Sequence, residues 1–80
     1  MTLCDAVAKR INNLLQEKNM SLYRLAKVST IHAGTLNDLM YGKNRSVNLK
    51  TIYLIYKAFG MKAHEFFNDP VFDNDELEVD

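Results

Sequence analysis

The residues able to break or form bonds are few and scattered. Cys4 is the one cysteine of the 80-residue chain, and the two histidines, His32 and His64, lie far from it and from each other. No metal-ligand spacing links them, and a single thiol can build neither an intramolecular disulfide nor a thiolate cage. No glycine-rich loop could cradle a phosphate, and no nucleophile–base pair can be read. The expectation is no enzyme, no cofactor and no metal. A different chemistry is concentrated between residues 21 and 50. Short side chains and amides there (Thr35, Asn37 and Asp38 among them) stand near the cations Lys27, Lys43, Arg45 and Lys50. Amides and hydroxyls can hydrogen-bond a ligand's edge while neighbouring cations hold a polyanion.

The charge pattern sharpens that reading. The chain is formally neutral, yet residues 1–68 carry a net +6 and residues 69–80 a net −6. This divides it into a basic folded body over 1–68 and an acidic C-terminal tail over 69–80. The tail is expected to be a solvated, partly disordered end, a flexible leash able to compete with a polyanion for the body's cations. The longest apolar run, 52–56, falls far short of the roughly 20 residues of a membrane helix. With no signal-like segment opening the chain and one lone thiol, the expected location is cytoplasmic, with no membrane partner.

Helix-capping signals set the expected elements. Thr2 and Asp5 form a capping-box pair, after which Val7, Ile11, Leu14 and Leu15 make one apolar stripe ending near Lys18. Asn19 tolerates the left-handed conformation that stops a helix, and Ser21 caps a second, short helix burying Leu22, Leu25 and Ala26. Three β-branched residues within 28–32 mark a turn. A third helix over about 33–40 buries Leu36, Leu39 and Met40, with Gly42 as a left-handed cap and 43–47 as a basic loop. Asn48 caps a fourth helix with its stripe at Leu49, Ile52, Ile55, Tyr56 and Phe59, stopped by Gly60. A last turn or two over 63–68 carries Phe66 and Phe67 before Pro70 closes the folded part. The expected fold is all-α, with five short helices.

Two short helices joined by a tight turn and followed by a basic loop suggest a helix-turn-helix. Ser21, Leu25-Ala26-Lys27, Ile31, Thr35-Leu36, Leu39 and Gly42 fall at the spacing of the lambda-repressor-like (XRE, Cro-type) helix-turn-helix family, which the chain resembles over roughly residues 5–68. Asn48-Leu49, Thr51-Ile52, Ala58-Phe59-Gly60 and Glu65-Phe66-Phe67 extend the likeness. Four positions depart from the family's habit. Thr30 stands where the turn usually has Gly, so the turn must avoid positive φ or accept strain. Leu22 replaces the Gln that usually opens the second helix. Leu15 and Met40 occupy the places of an Arg–Glu pair, and losing both charges together avoids stranding one at a cost of about 3–5 kcal/mol.

The resemblance implies a sequence-specific DNA-binding transcriptional regulator, a repressor of bacterial or phage type, acting as a homodimer on double-stranded operator DNA. The third helix would read bases in the major groove through His32, Ala33, Gly34, Thr35, Asn37 and Asp38. Asn37 can pair with adenine, Asp38 can accept from cytosine, and Ala33 or Thr35 can touch a thymine methyl. His32 caps that helix or meets phosphate. Phosphates would be held by Ser21, Tyr23, Lys27, Lys43, Asn44, Arg45, Asn48 and Lys50, with Lys9 a further candidate. Leu54, Met61, Val71 and Phe72 are the candidate dimer contact; alternatively Val71 and Phe72 fold back over Leu54 within the monomer. The alternative function is a protein-interaction module on the same fold, with weak or no DNA binding.

Overall fold

Local hydrogen bonds begin the first, second and fourth helices, and end the first and fourth, where the sequence predicts. In the computed structural model, which describes residues 1–42, 47–74 and 76–79, helix α1 spans Leu3–Glu17. The Thr2 hydroxyl accepts from the Asp5 N–H, and the Asp5 carboxylate accepts from the Thr2 N–H, both at 3.0 Å. This reciprocal pair satisfies two donors that a helix start would otherwise leave open. α1 ends in a Schellman motif: Asn19 sits at φ 52°, its N–H reaches the Gln16 carbonyl, and the Met20 N–H reaches that of Leu15. Ser21 Oγ caps α2 (Leu22–Ser29) by accepting from the Arg24 N–H at 3.0 Å. After α3 (Ala33–Tyr41), Asn48 Oδ1 caps α4 (Leu49–Ala58) through the Thr51 N–H at 2.8 Å. A second Schellman motif closes α4 at Gly60, φ 70°, ahead of α5 (Ala63–Phe67). The architecture is all-helical, with five α-helices and no strand among the described residues.

One core joins all five. Ile11 and Leu14 of α1, Leu25 of α2, Leu36 of α3, Ile55 of α4 and Phe66 of α5 are its fully buried members. Each helix thus turns one apolar stripe inward, as the spacing requires. Leu15 and Met40 are both buried in the same cluster, so the position of an ion pair is filled by packed apolar atoms. Ala26 is buried too, and α2 packs against both α3 and α4.

The structure corrects several expectations. Gly42 ends α3 with φ −72° and ψ 160°, an extended rather than a left-handed cap. Its glycine has a steric reason instead, because a Cβ there would stand 2.6 Å from the Asp38 carbonyl oxygen. Leu49 is 80% exposed, since as the first residue of α4 it stands beyond the layer that Ile52 and Ile55 pack into. Leu22 is half-buried rather than buried, and Leu54, a candidate dimer contact, is half-buried against the core of its own chain.

The described part of the tail is docked, not a free leash. Asp69 caps a 3-10 turn over Pro70–Phe72 by accepting from the Val71 N–H. Phe72 packs on Phe66 and Phe67, with ring centroids 6.0 and 5.1 Å away. The chain then returns to its start, where the Leu3 N–H donates to the Glu78 carbonyl at 2.8 Å and the Glu78 N–H to that of Met1. The carboxylates of Asp73, Glu76 and Glu78 stay in solvent while their backbone is held. Backbone pairing and aromatic burial here outweigh the solvation that the composition favours.

Arg10 organises this end of the molecule. Its Nε donates to the Phe66 carbonyl at 2.8 Å, one Nη to the Glu65 carbonyl at 2.9 Å, and the other Nη to Asp69 at 3.2 Å. Its guanidinium also lies over the Phe66 ring, 5.9 Å from the centroid. Arg10→Met keeps the aliphatic stem but leaves the α5 carbonyls and Asp69 without their donor. Urea unfolding should show it less stable by about 2–4 kcal/mol, while Asp69→Asn, which leaves the carbonyl contacts intact, should cost less than about 1 kcal/mol.

Candidate nucleic-acid interface

The turn that aims α3 is built from three adjacent side chains. Thr30 takes the left-handed conformation, φ 63°, so the turn accepts strain rather than avoiding it. For a β-branched residue that costs about 1–2 kcal/mol. Ser29 offsets the cost. Its buried hydroxyl accepts from the Ile31 N–H at 3.2 Å and donates to the Ala26 carbonyl at 3.4 Å. The Thr30 hydroxyl donates to the Ser29 carbonyl. Ile31, buried in the core cluster, then pins the turn to the core. Sequence reasoning passes over Ser29; a small hydroxyl residue at the end of a helix, just before a turn, is the signal that could find it.

α3 divides cleanly into two faces. Leu36, Leu39 and Met40 are buried, whereas His32, Ala33, Gly34, Thr35, Asn37 and Asp38 are all exposed on the other side. The four that can hydrogen-bond through a side chain, His32, Thr35, Asn37 and Asp38, have no side-chain partner among the described residues. His32 holds the N-cap position but its ring makes no cap bond, which corrects the expectation of a capping role. At Gly34 a Cβ would meet nothing within 4 Å, so the surface there is open. Between this face and α2 runs a groove of about 390 Å³ lined by Leu22, Tyr23, Ala26, Ala33, Gly34 and Asn37.

The predicted phosphate ligands are placed unevenly. Ser21, Tyr23, Lys27, Asn48 and Lys50 are exposed. Ser21 and Asn48 spend a side-chain oxygen on capping, so what they hold outward is a helix N-terminus with its partial positive charge. The Lys27 ammonium lies 4.9 Å from the Tyr23 ring centroid, a cation held on the surface of α2. Lys43, Asn44 and Arg45 lie outside the described residues. Lys9 faces elsewhere, lining a hollow with Asp69 and Val71 beside the tail. Arg24 and Tyr41 are also exposed, on α2 and α3, although neither family position nor the basic loop singles them out.

The four candidate dimer residues are each half covered by their own chain. Leu54, Met61 and Phe72 pack against the core, and Val71 lines the hollow beside the tail. Phe72 meets Phe66 and Phe67. His32 and His64 are exposed and Cys4 is buried. No group of three metal-ligating side chains occurs among the described residues, and no helix there is long and apolar enough to cross a membrane.

A family model for the Cro/C1-type helix-turn-helix DNA-binding domain matches residues 10–70. No curated protein and no solved structure matches the chain.

The geometry of the turn makes a direct expectation. Thr30→Gly relieves the left-handed strain and keeps both Ser29 hydroxyl bonds, so chemical denaturation should show a gain of roughly 0.5–1 kcal/mol. Ser29→Ala should lose about 1–3 kcal/mol, because the buried Ile31 N–H is left without an acceptor.

Proposed function

The chain belongs to the Cro/C1-type helix-turn-helix DNA-binding family, and from that premise we propose that it is a sequence-specific transcriptional repressor of bacterial or phage type. It acts in the cytoplasm on double-stranded operator DNA. α3 enters the major groove, where the helix fits by width and base edges carry a readable pattern of donors, acceptors and methyl groups. The observation that carries this reading is the exposed face of α3. Six residues there are exposed, and the His32, Thr35, Asn37 and Asp38 side chains among them have no hydrogen-bond partner among the described residues, on a helix whose other face is anchored in the core.

Affinity and specificity fall to different parts of the surface. α3 has no Lys, Arg or Gln and contributes Asp38, so it adds little to attraction for phosphate. Attraction comes from Lys27, Lys50 and the helix N-termini capped by Ser21 and Asn48, together with Lys43 and Arg45 of the loop. Asn37 and Asp38 supply base-edge hydrogen bonds, to adenine and to the cytosine amino group. The protein binds as a symmetric homodimer, placing two copies of α3 in successive major grooves about 34 Å apart. Leu54, Met61, Val71 and Phe72 supply the subunit contact.

Two double variants separate these roles. Lys43→Ala with Arg45→Ala should weaken binding to every duplex alike. It should also flatten the salt dependence by about 0.9 in log K against log salt for each phosphate left without its cation. An unchanged slope in a salt titration removes the loop from the phosphate-binding surface. Asn37→Ala with Asp38→Ala should alter the sequence enriched from a random duplex pool while leaving non-specific retention nearly the same. Retention of no duplex by the unaltered protein at low salt would favour a protein-interaction module instead.

A further inference from the structure

The groove between α2 and α3 has a chemistry unlike its surroundings. Ala26, only 8% exposed, forms its floor, Leu22 and Ala33 are among its walls, and at Gly34 no side chain narrows it. Apart from the Tyr23 hydroxyl, the one polar side chain lining it is Asn37. No cation lines it, so a phosphate oxygen would find little to bind inside. A cation stands on its flank instead: the Lys27 ammonium is stacked on the ring of Tyr23, which lines the groove. An apolar slot with a single amide, flanked by positive charge, fits a ligand that presents an apolar group between anionic edges.

In the major groove one base alone presents such a group, thymine with its C5-methyl. Building on the DNA-reading function proposed above, we propose that the α2–α3 groove is a methyl-reading site. It takes a thymine C5-methyl between Leu22 and Ala33 while the Asn37 amide pairs with the N6 and N7 edge of an adjacent adenine. Leu22 is then a specificity residue, reading a base through dispersion and the exclusion of water rather than through a hydrogen bond. α3 has no Arg or Lys to pair bidentately with guanine, so the operator position under this groove is an A·T pair.

The test uses the full chain and duplexes enriched from a random pool. Uracil then replaces thymine one position at a time, which removes the methyl and nothing else. At one position per half-site the affinity should fall about fourfold, the worth of one buried methyl group, with the salt slope unchanged. In Leu22→Ala that loss should vanish, and in Leu22→Met, which keeps the apolar bulk, it should persist. Thermal melting of both variants reports whether they fold. If uracil costs nothing at any position although the duplex is bound, methyl reading is wrong while DNA reading stands. If the uracil loss is as large in Leu22→Ala, the methyl lies elsewhere and the groove assignment falls. If no duplex is enriched at all, the DNA-reading function itself falls, and this inference with it.

Discussion

A single guanidinium ties together by hydrogen bonds three parts of the chain that are far apart in sequence. α5 has only five residues, too short to persist as an isolated helix, and its last carbonyls have no partners within it. Arg10 donates to two of them and to Asp69, and so ties α1 to α5 and to the start of the tail. Phe66, the largest fully buried side chain, is held beneath the same group. Its ring meets Tyr56 of α4, and α4 in turn packs on α2. The support beneath the helix-turn-helix is therefore continuous from Arg10 to the turn. Moving Phe66 would shift the surface on which α2 rests.

At the other end of that path the constraint is conformational. A short turn must redirect the chain from α2 into α3, and Thr30 does so in a region of backbone space that suits glycine better. The hydroxyl of Ser29 fastens the turn from within, and Ile31 fastens it from the core side. With both ends of α3 held, one by this turn and the other by buried Leu39 and Met40, the outward face is rigidly presented. A preorganised face loses less freedom on binding, which matters for a helix that brings no positive charge of its own.

That division of labour suits discrimination. In the function proposed above, Lys27 of α2 and Lys50 of α4 attract every duplex alike, while α3 itself carries no cation. A face without cations gains little from a wrong sequence, because it has no general attraction to phosphate to fall back on. Under that proposal, Asn37, Asp38 and the apolar groove beside them serve to reject rather than to hold.

Much of this was legible in the sequence, for a physical reason. Caps act over three or four residues, so Thr2 with Asp5, Asn19, Ser21, Asn48 and Gly60 announce the helix ends with no knowledge of the fold. Apolar periodicity is equally local, and it marks Ile11, Leu14, Leu25, Leu36 and Ile55 as core. The joint change to Leu15 and Met40 could be read because burial without charge is consistent only when both partners are apolar. The unequal faces of α3 followed from the same periodicity. Other features were decided by tertiary structure alone. The partners of Arg10 lie 55 to 59 residues away, and nothing near Arg10 in sequence sets it apart from a solvated surface arginine. The tail's composition speaks for solvent, yet its backbone pairs with the first residues and Phe72 enters an aromatic cluster. Whether Leu49 continues a stripe depended on where the neighbouring layer ends. Gly42 could be assigned its reason only once the Asp38 carbonyl was seen beside it. Short-range hydrogen bonding and periodicity thus determined the helices and their inward faces, whereas long-range packing decided what clamps them together and where the apolar groove opens.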